Sequence, residues 1–268
     1  MPTQSTLAAT FRSLHQSGLL LLPNCWDAGS ARLMAAQGAP ALATSSAAVA
    51  WALGYGDGDQ LPVPQLTACL SLITRRLEVP LTADIEGGYS DDPAAVGATV
   101  AAVIDTGVVG VNLEDGRSPP ALLARKIEAA RAAAERAGVL LFINARCDVF
   151  LKGLVAPEQR VAETLARAEL YRAAGADGLF AAGAREAADI AALAAGTPLP
   201  LNILALPGVP KADELARLGV RRLTSGSGIA ESVYARIATL TRGFLTEGDS
   251  AALSADALAY GELNTLMS

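Results

Sequence analysis

The sequence predicts an α/β fold, a (β/α)8 barrel of the TIM type. Three observations predict it. Short apolar runs of strand length alternate with longer helical runs along the 268-residue chain. A glycine stop recurs just before the next strand, in A-Q-G-A, D-T-G-V, R-A-G-V, A-A-G-A and R-L-G-V, as short αβ loops require. The strand candidates number about eight, the barrel number. Strict alternation implies a parallel sheet with right-handed crossovers. No G-x-G-x-x-G follows the first strand and no Walker sequence appears, so the dinucleotide and P-loop folds lose their main support.

The strands are expected at residues 19–22, 41–43, 80–83, 108–113, 139–144, 178–180, 201–204 and 222–224, each closed by turn chemistry. A helix over 28–37 follows Asp27, a good N-cap, and stops at Gly38. The run 93–106 opens on proline after Asp91-Asp92 and stops at Gly107. Further helices are expected over 119–137, 157–174 and 211–218, with 230–245 closing the barrel. Residues 1–245 then form the barrel, and 246–268 a helical tail packing on the barrel or on a neighbouring subunit.

Hydrophobic residues are 51% and aromatics only 4%. Alanine-rich helices on a Val/Leu/Ile sheet fit that balance. The net charge is −6 and basic residues are scattered, which argues against a nucleic-acid footprint. The charge-free stretch 33–56 is long enough to span a membrane, but Gln37, Gly38, Pro40, Thr44, Ser45 and Ser46 interrupt it. It is expected to be helix end, turn, buried strand and loop. With no basic n-region in Met1–Thr10, the expectation is a cytoplasmic protein without membrane attachment. The three cysteines lack C-x-x-C spacing, against a disulfide framework or zinc site. His15 is the sole histidine and falls in an N-terminal helical run. Ser-His and Cys-His acyl chemistry are therefore disfavoured.

Barrel sites are assembled at the C-terminal strand ends. The third strand ends in Asp84 and Glu86, the fourth in Glu114 and Asp115, the fifth in Arg146 and Asp148. The second ends in Ser45-Ser46, and the loop beyond it carries Asp57. Converging carboxylates repel unless a cation joins them. Oxygen ligands without histidine or a cysteine cluster favour a hard ion, Mg2+ or Mn2+. Arg146 follows an apolar strand directly. Its planar fork suits a carboxylate or enolate oxygen, or else an internal pair with Asp148 or Glu114. Backbone amides at Ser45-Ser46 are candidates for an oxyanion.

Several segments carry a resemblance. P-N-C-W-D-A-G-S-A-R-L, A-T-S-S-A-A-V-A, T-A-D-I-E-G-G-Y-S, V-N-L-E-D, I-N-A-R-C-D-V-F and L-N-I-L-A are similar to segments of the isocitrate lyase/phosphoenolpyruvate mutase superfamily. The resemblance implies a barrel whose last helix is exchanged between subunits of a dimer or tetramer. It implies Mg2+ and a small 2-oxo acid reacting through an enolate. By position, Asp84 binds the metal directly, while Asp57, Glu86 and Glu114 mostly hold its waters. Ser45, Ser46 and Arg146 bind the substrate's carboxylate and oxo groups, Asn202 lines the pocket, and the catalytic set is Arg146, Ser45 and Asp57.

The chain departs from that pattern in places. Glu86 stands where aspartate is usual, Ser46 where glycine is, and Cys147 where threonine is common. K-K-C-G-H is absent, and G-R-S-P-P after Asp115 leads straight into a helix. The expectation is a lyase acting on a 2-oxo acid, oxaloacetate decarboxylase-like, and not isocitrate lyase. The alternative is a 2-oxo acid binding protein with little catalysis.

Overall fold

The computed structural model describes residues 2–268. The strands are β1 (Leu20–Leu22), β2 (Asn24–Cys25), β3 (Leu42–Thr44), β4 (Leu81–Asp84), β5 (Gly110–Glu114), β6 (Phe142–Cys147), β7 (Gly178–Ala181), β8 (Leu201–Leu204) and β9 (Arg222–Thr224). All pair in parallel, in the order β1-β9-β8-β7-β6-β5-β4-β3-β2. Pro23 divides β1 from β2 because it has no N–H for the ladder. Its carbonyl still accepts from Ala43 N at 3.1 Å. The two pieces are one barrel strand, paired with β9 below the proline and with β3 above it. The sheet thus closes as the expected eight-stranded barrel.

The expected helices form with ends shifted by at most three residues. They include α2 (Ala28–Ala36), α5 (Pro93–Asp105), α6 (Pro120–Ala137), α7 (Arg160–Ala173) and α9 (Ala212–Arg217). A reciprocal capping box opens α2: Ser30 N donates to Asp27 Oδ1 at 2.7 Å, and Asp27 N to Ser30 Oγ at 3.1 Å. The junction glycines Gly38, Gly107, Gly138, Gly175 and Gly219 all take positive φ, from 67° to 105°. That backbone ends each helix and turns the chain into the next strand.

Three helices lie outside the sequence expectation: α3 (Ser46–Ala52), α4 (Val63–Thr74) and α8 (Ala187–Gly196). The first corrects the reading of residues 46–52 as loop. Ser45 caps it, with Ala48 N donating to Ser45 Oγ at 3.3 Å. Its Ala-rich turns need no polar face, because Ala48, Val49 and Ala50 are buried.

The barrel axis is layered. α1 (Gln4–Ser13) plugs the N-terminal end with Phe11, which packs edge-on against Phe142, ring centroids 5.5 Å apart. A Cβ at Gly110 would lie 3.0 Å from Phe11, and one at Gly178 only 2.7 Å from Asn144 Oδ1. Small residues make room there for large ones. Above lies a polar layer of Asn112, Asn144, Asn202 and Arg222, all buried. The acidic mouth lies above that. Outside, α10 (Gly228–Glu247) is followed by α11 (Ala251–Ser254) and α12 (Tyr260–Met267), and α12 packs on α2. Among the described residues, no helix is long and apolar enough to cross a membrane.

Candidate active site

The mouth of the barrel holds a cavity of about 160 Å3, lined by Asn24, Ser45, Ser46, Ala47, Asp57, Asp84, Asn112, Arg146, Phe180, Leu204, Thr224, Gly226 and Ser227. That is well under the roughly 300 Å3 at which drug-sized pockets begin, so it suits a small metabolite. A larger groove of about 450 Å3 lies on the outer wall at Leu21, Pro40 and Leu223. It is apolar and brings no ionisable groups together, so the smaller cavity is the candidate site.

Register brings the mouth residues together. Asp84 pairs with Asn112, and Glu114 with Arg146, across neighbouring strands. Arg146 Nη1 meets Glu114 Oε2 at 2.6 Å, while Nε and Nη2 grip both oxygens of Asp148 at 2.8 and 3.2 Å. The internal pairs and the cavity position therefore coexist. A guanidinium has five N–H groups; three are spent here, and two are left for a ligand. Lys152 reaches the same acids, 2.8 Å from Asp148 and 3.6 Å from Glu114.

Asp84 is buried, with Oδ2 accepting from Ser46 Oγ at 2.9 Å. Ser45 lines the cavity, but its hydroxyl already caps α3. Glu86 adopts a left-handed backbone, φ 52°. It accepts from the Asp59 amide and, at 3.3 Å, from the Tyr89 hydroxyl. Asp57 is exposed on the rim. Asn202 departs from its expected place. It is buried in mid-strand, between Phe180 and Arg222 in register, with neither amide atom hydrogen-bonded, and it does not line the cavity. On β8 it is Leu204, two positions further on, that lines the cavity.

The electrostatics are those of crowded acids. Burial pushes the Glu114 carboxyl up to about 7, against the opposing pull of Arg146, with Asp148 and Asp84 adding to the rise. Asp84 is raised by burial against the same arginine. Glu86 is raised by burial and by Asp59, Asp57 and Asp84. Burial alone would lower Arg146, but Glu114, Asp148 and Asp84 together hold it above its ordinary value. The acids outweigh Arg146 and Lys152, so the mouth lacks positive charge.

That deficit and the all-oxygen donor set fit a hard divalent cation. Among the described residues, no three acidic, histidine or cysteine side chains converge as ligands. This is compatible with Mg2+, which takes one or two carboxylates and keeps several waters.

Sequence reasoning passed over Asn24, Asn112, Phe180 and Thr224 as cavity-lining residues. Asn112 gave a usable signal, a lone amide in the apolar run V-V-G-V-N-L. Asn24 gave less. It ties three strands together, donating to Thr44 O at 2.8 Å and accepting from Gly226 N at 3.0 Å.

The family profile of phosphoenolpyruvate phosphomutase matches residues 11–245. The chain belongs to the phosphoenolpyruvate phosphomutase family. A family relative of unassigned activity from Mycobacterium tuberculosis is 34% identical over 223 residues, 81% of this chain and 82% of its own length. An oxaloacetate decarboxylase from Ectopseudomonas mendocina is 31% identical over 180 residues, 65% of this chain and 61% of its own. The structure of a phosphonomutase candidate from Burkholderia cenocepacia J2315 superposes with a TM-score of 0.84 at 45% identity, covering 88% of this chain and 99% of that one. The resemblance read from the strand-end motifs is borne out, as is the barrel. The family's relatives are lyases and mutases, and the protein is an enzyme of that kind.

Proposed function

We propose that the protein is a Mg2+-dependent lyase that cleaves a small 2-oxo acid through an enolate, with decarboxylation of oxaloacetate the favoured reaction. The observation that carries this is the acid-rich mouth around a 160 Å3 cavity with Arg146 at its wall. Similarity to oxaloacetate decarboxylases, at 31% and 27% identity, supports the substrate class. In this reading Asp84 holds the ion directly, and Asp57, Glu86 and Glu114 hold its waters; Mn2+ is the alternative ion. When bound, the ion supplies positive charge where the enolate oxygen develops.

The chain's own residues do the rest. Arg146 is locked by Asp148 and Glu114, so its two free N–H groups can meet a carboxylate with little reorganisation. Ser46 and the amides beside it face the oxo group. Phe180 and Leu204 give the cavity an apolar side, which strengthens these contacts by excluding water. Decarboxylation makes few further demands, because loss of CO2 needs no base to begin.

The test compares the protein with its Asp84→Ala variant on oxaloacetate and Mg2+. Turnover above the metal-catalysed background, lost in the variant, is expected. Equal turnover in both, or none above background, contradicts the proposal.

A second reading is favoured by one observation. Only Asp115–Pro119 connects β5 to α6, too short a segment there to close over the site. That reading is a 2-oxo acid binding protein with little catalysis. Calorimetry with the ligand recovered intact distinguishes it.

The assembly we infer is a homo-oligomer, dimer or tetramer, with the last barrel helix exchanged. α10 exposes Ile229, Val233, Tyr234, Ile237, Phe244 and Leu245, and Leu21 is bare on the outer wall. A helix with an open apolar face and a wall without its cover fit one another across subunits.

A further inference from the structure

Asn112 lies on β5, two residues before Glu114. It pairs with Asp84 on one side and Asn144 on the other, and it lines the cavity. An amide has a donor end and an acceptor end, and the neighbours decide which is which. Arg222 Nη2 lies 3.2 Å from one terminal atom of Asn112. A guanidinium only donates, so that atom is Oδ1. Asn144 Nδ2 donates to the same oxygen at 2.9 Å. Both contacts draw Oδ1 toward the barrel interior. Nδ2 is left with its protons and takes no acceptor among the described residues.

Arg222 is itself unusual. It is wholly buried, its Nε and Nη1 have no partner, and Asn112 is its one side-chain acceptor. A buried charge without a close counter-ion is costly. Here it fixes one orientation of the Asn112 amide and sets positive charge beneath the cavity.

We propose that Asn112 is a substrate-contacting residue whose Nδ2 donates to an oxygen of the bound 2-oxo acid, with Arg222 a positioning residue that holds the amide in that orientation. The proposal rests on the 2-oxo acid reading above. It adds a floor contact that favours oxygen-rich acids, since a donor with no internal partner is satisfied only by a ligand or water.

Oxalate is a suitable probe, being a small dianion with the O–C–C–O edge of an enolate. It is titrated calorimetrically into the Mg2+-loaded protein and into Asn112→Asp, Asn112→Leu and Arg222→Met. Asn112→Asp keeps an oxygen for Arg222 and Asn144 but has no donor end. A purely structural role would leave its melting temperature and its oxalate binding intact. The expected result is an unreduced melting temperature, unreduced Mg2+ affinity measured without oxalate, and oxalate affinity lower by about ten-fold or more. Asn112→Leu, which adds no charge, gives the same loss, and Arg222→Met a smaller one. Either Asn112 variant, folded and binding oxalate as tightly as the parent, overturns the inference alone. A parent that binds no oxalate overturns the 2-oxo acid reading and this inference with it.

Discussion

His15 is buried beneath the barrel, stacked on Phe142 with ring centroids 4.2 Å apart. Its Nδ1 lies 2.8 Å from the Phe11 carbonyl. A carbonyl only accepts, so the proton sits on Nδ1 and Nε2 is bare. Burial, with Arg222 and Arg12 nearby, holds its pKa at about 3 against an ordinary 6.5. The unfolded chain therefore binds a proton between pH 6.5 and 3 that the folded chain refuses. This contribution is complete above pH 6.5 and is lost as pH falls toward 3. Its share of the loss between pH 7 and pH 5 is about 2 kcal/mol. Urea unfolding at the two pH values checks this: His15→Leu should flatten the acid limb by that amount, and an unchanged limb contradicts it. The residue's isolation was legible in the sequence, but its burial was not, because nothing local tells that α1 crosses the end of the barrel. The acids were legible for the opposite reason. Asp84 and Glu114 each stand at the end of an apolar run, where a barrel puts its site. Asn202 does not line the cavity although Asn112, equally two positions below its strand end, does, so distance from the end alone does not decide which mid-strand amide is exposed there.

At the scale of elements, the turn after β4 carries the mouth. Gly88 takes φ +87°, and a Cβ there would lie 2.8 Å from Val96 and 3.2 Å from Leu113. Gly88→Ala is expected to cost about 1–3 kcal/mol and to displace Glu86 and Asp84, lowering activity as well. Denaturant unfolding and the oxaloacetate assay read the two effects, and wild-type values in both would show that this turn does not hold the mouth. Phe11→Ala should cost about 3–5 kcal/mol by opening the plug of the barrel, read by the same unfolding measurement, and should leave the mouth unaltered. The strands and glycine junctions could be read because turn chemistry is local. The division of the first strand could not, since Pro23 looked like an ending and its carbonyl pairing depends on β3. The short α3 (Ser46–Ala52) was hidden because its alanine-rich turns carry no polar stripe to reveal their period.

At the scale of the molecule, the apolar face of α10 and the bare wall at Leu21 predict association. Light scattering should report a dimer or tetramer, and Ile237→Glu with Phe244→Glu should dissociate it. A monomeric parent contradicts the prediction. The barrel followed from the alternation of elements, whereas the assembly depends on what covers α10, which residue pattern alone leaves open. In the proposed site the mouth acids hold a divalent ion beside a 2-oxo acid. The most direct measurement is calorimetric titration of pyruvate into metal-stripped and Mg2+-loaded protein, with Asp84→Asn alongside. Binding is expected only in the loaded parent, and is lost in Asp84→Asn. Pyruvate binding that ignores Mg2+, or that survives Asp84→Asn unchanged, would contradict the proposed site.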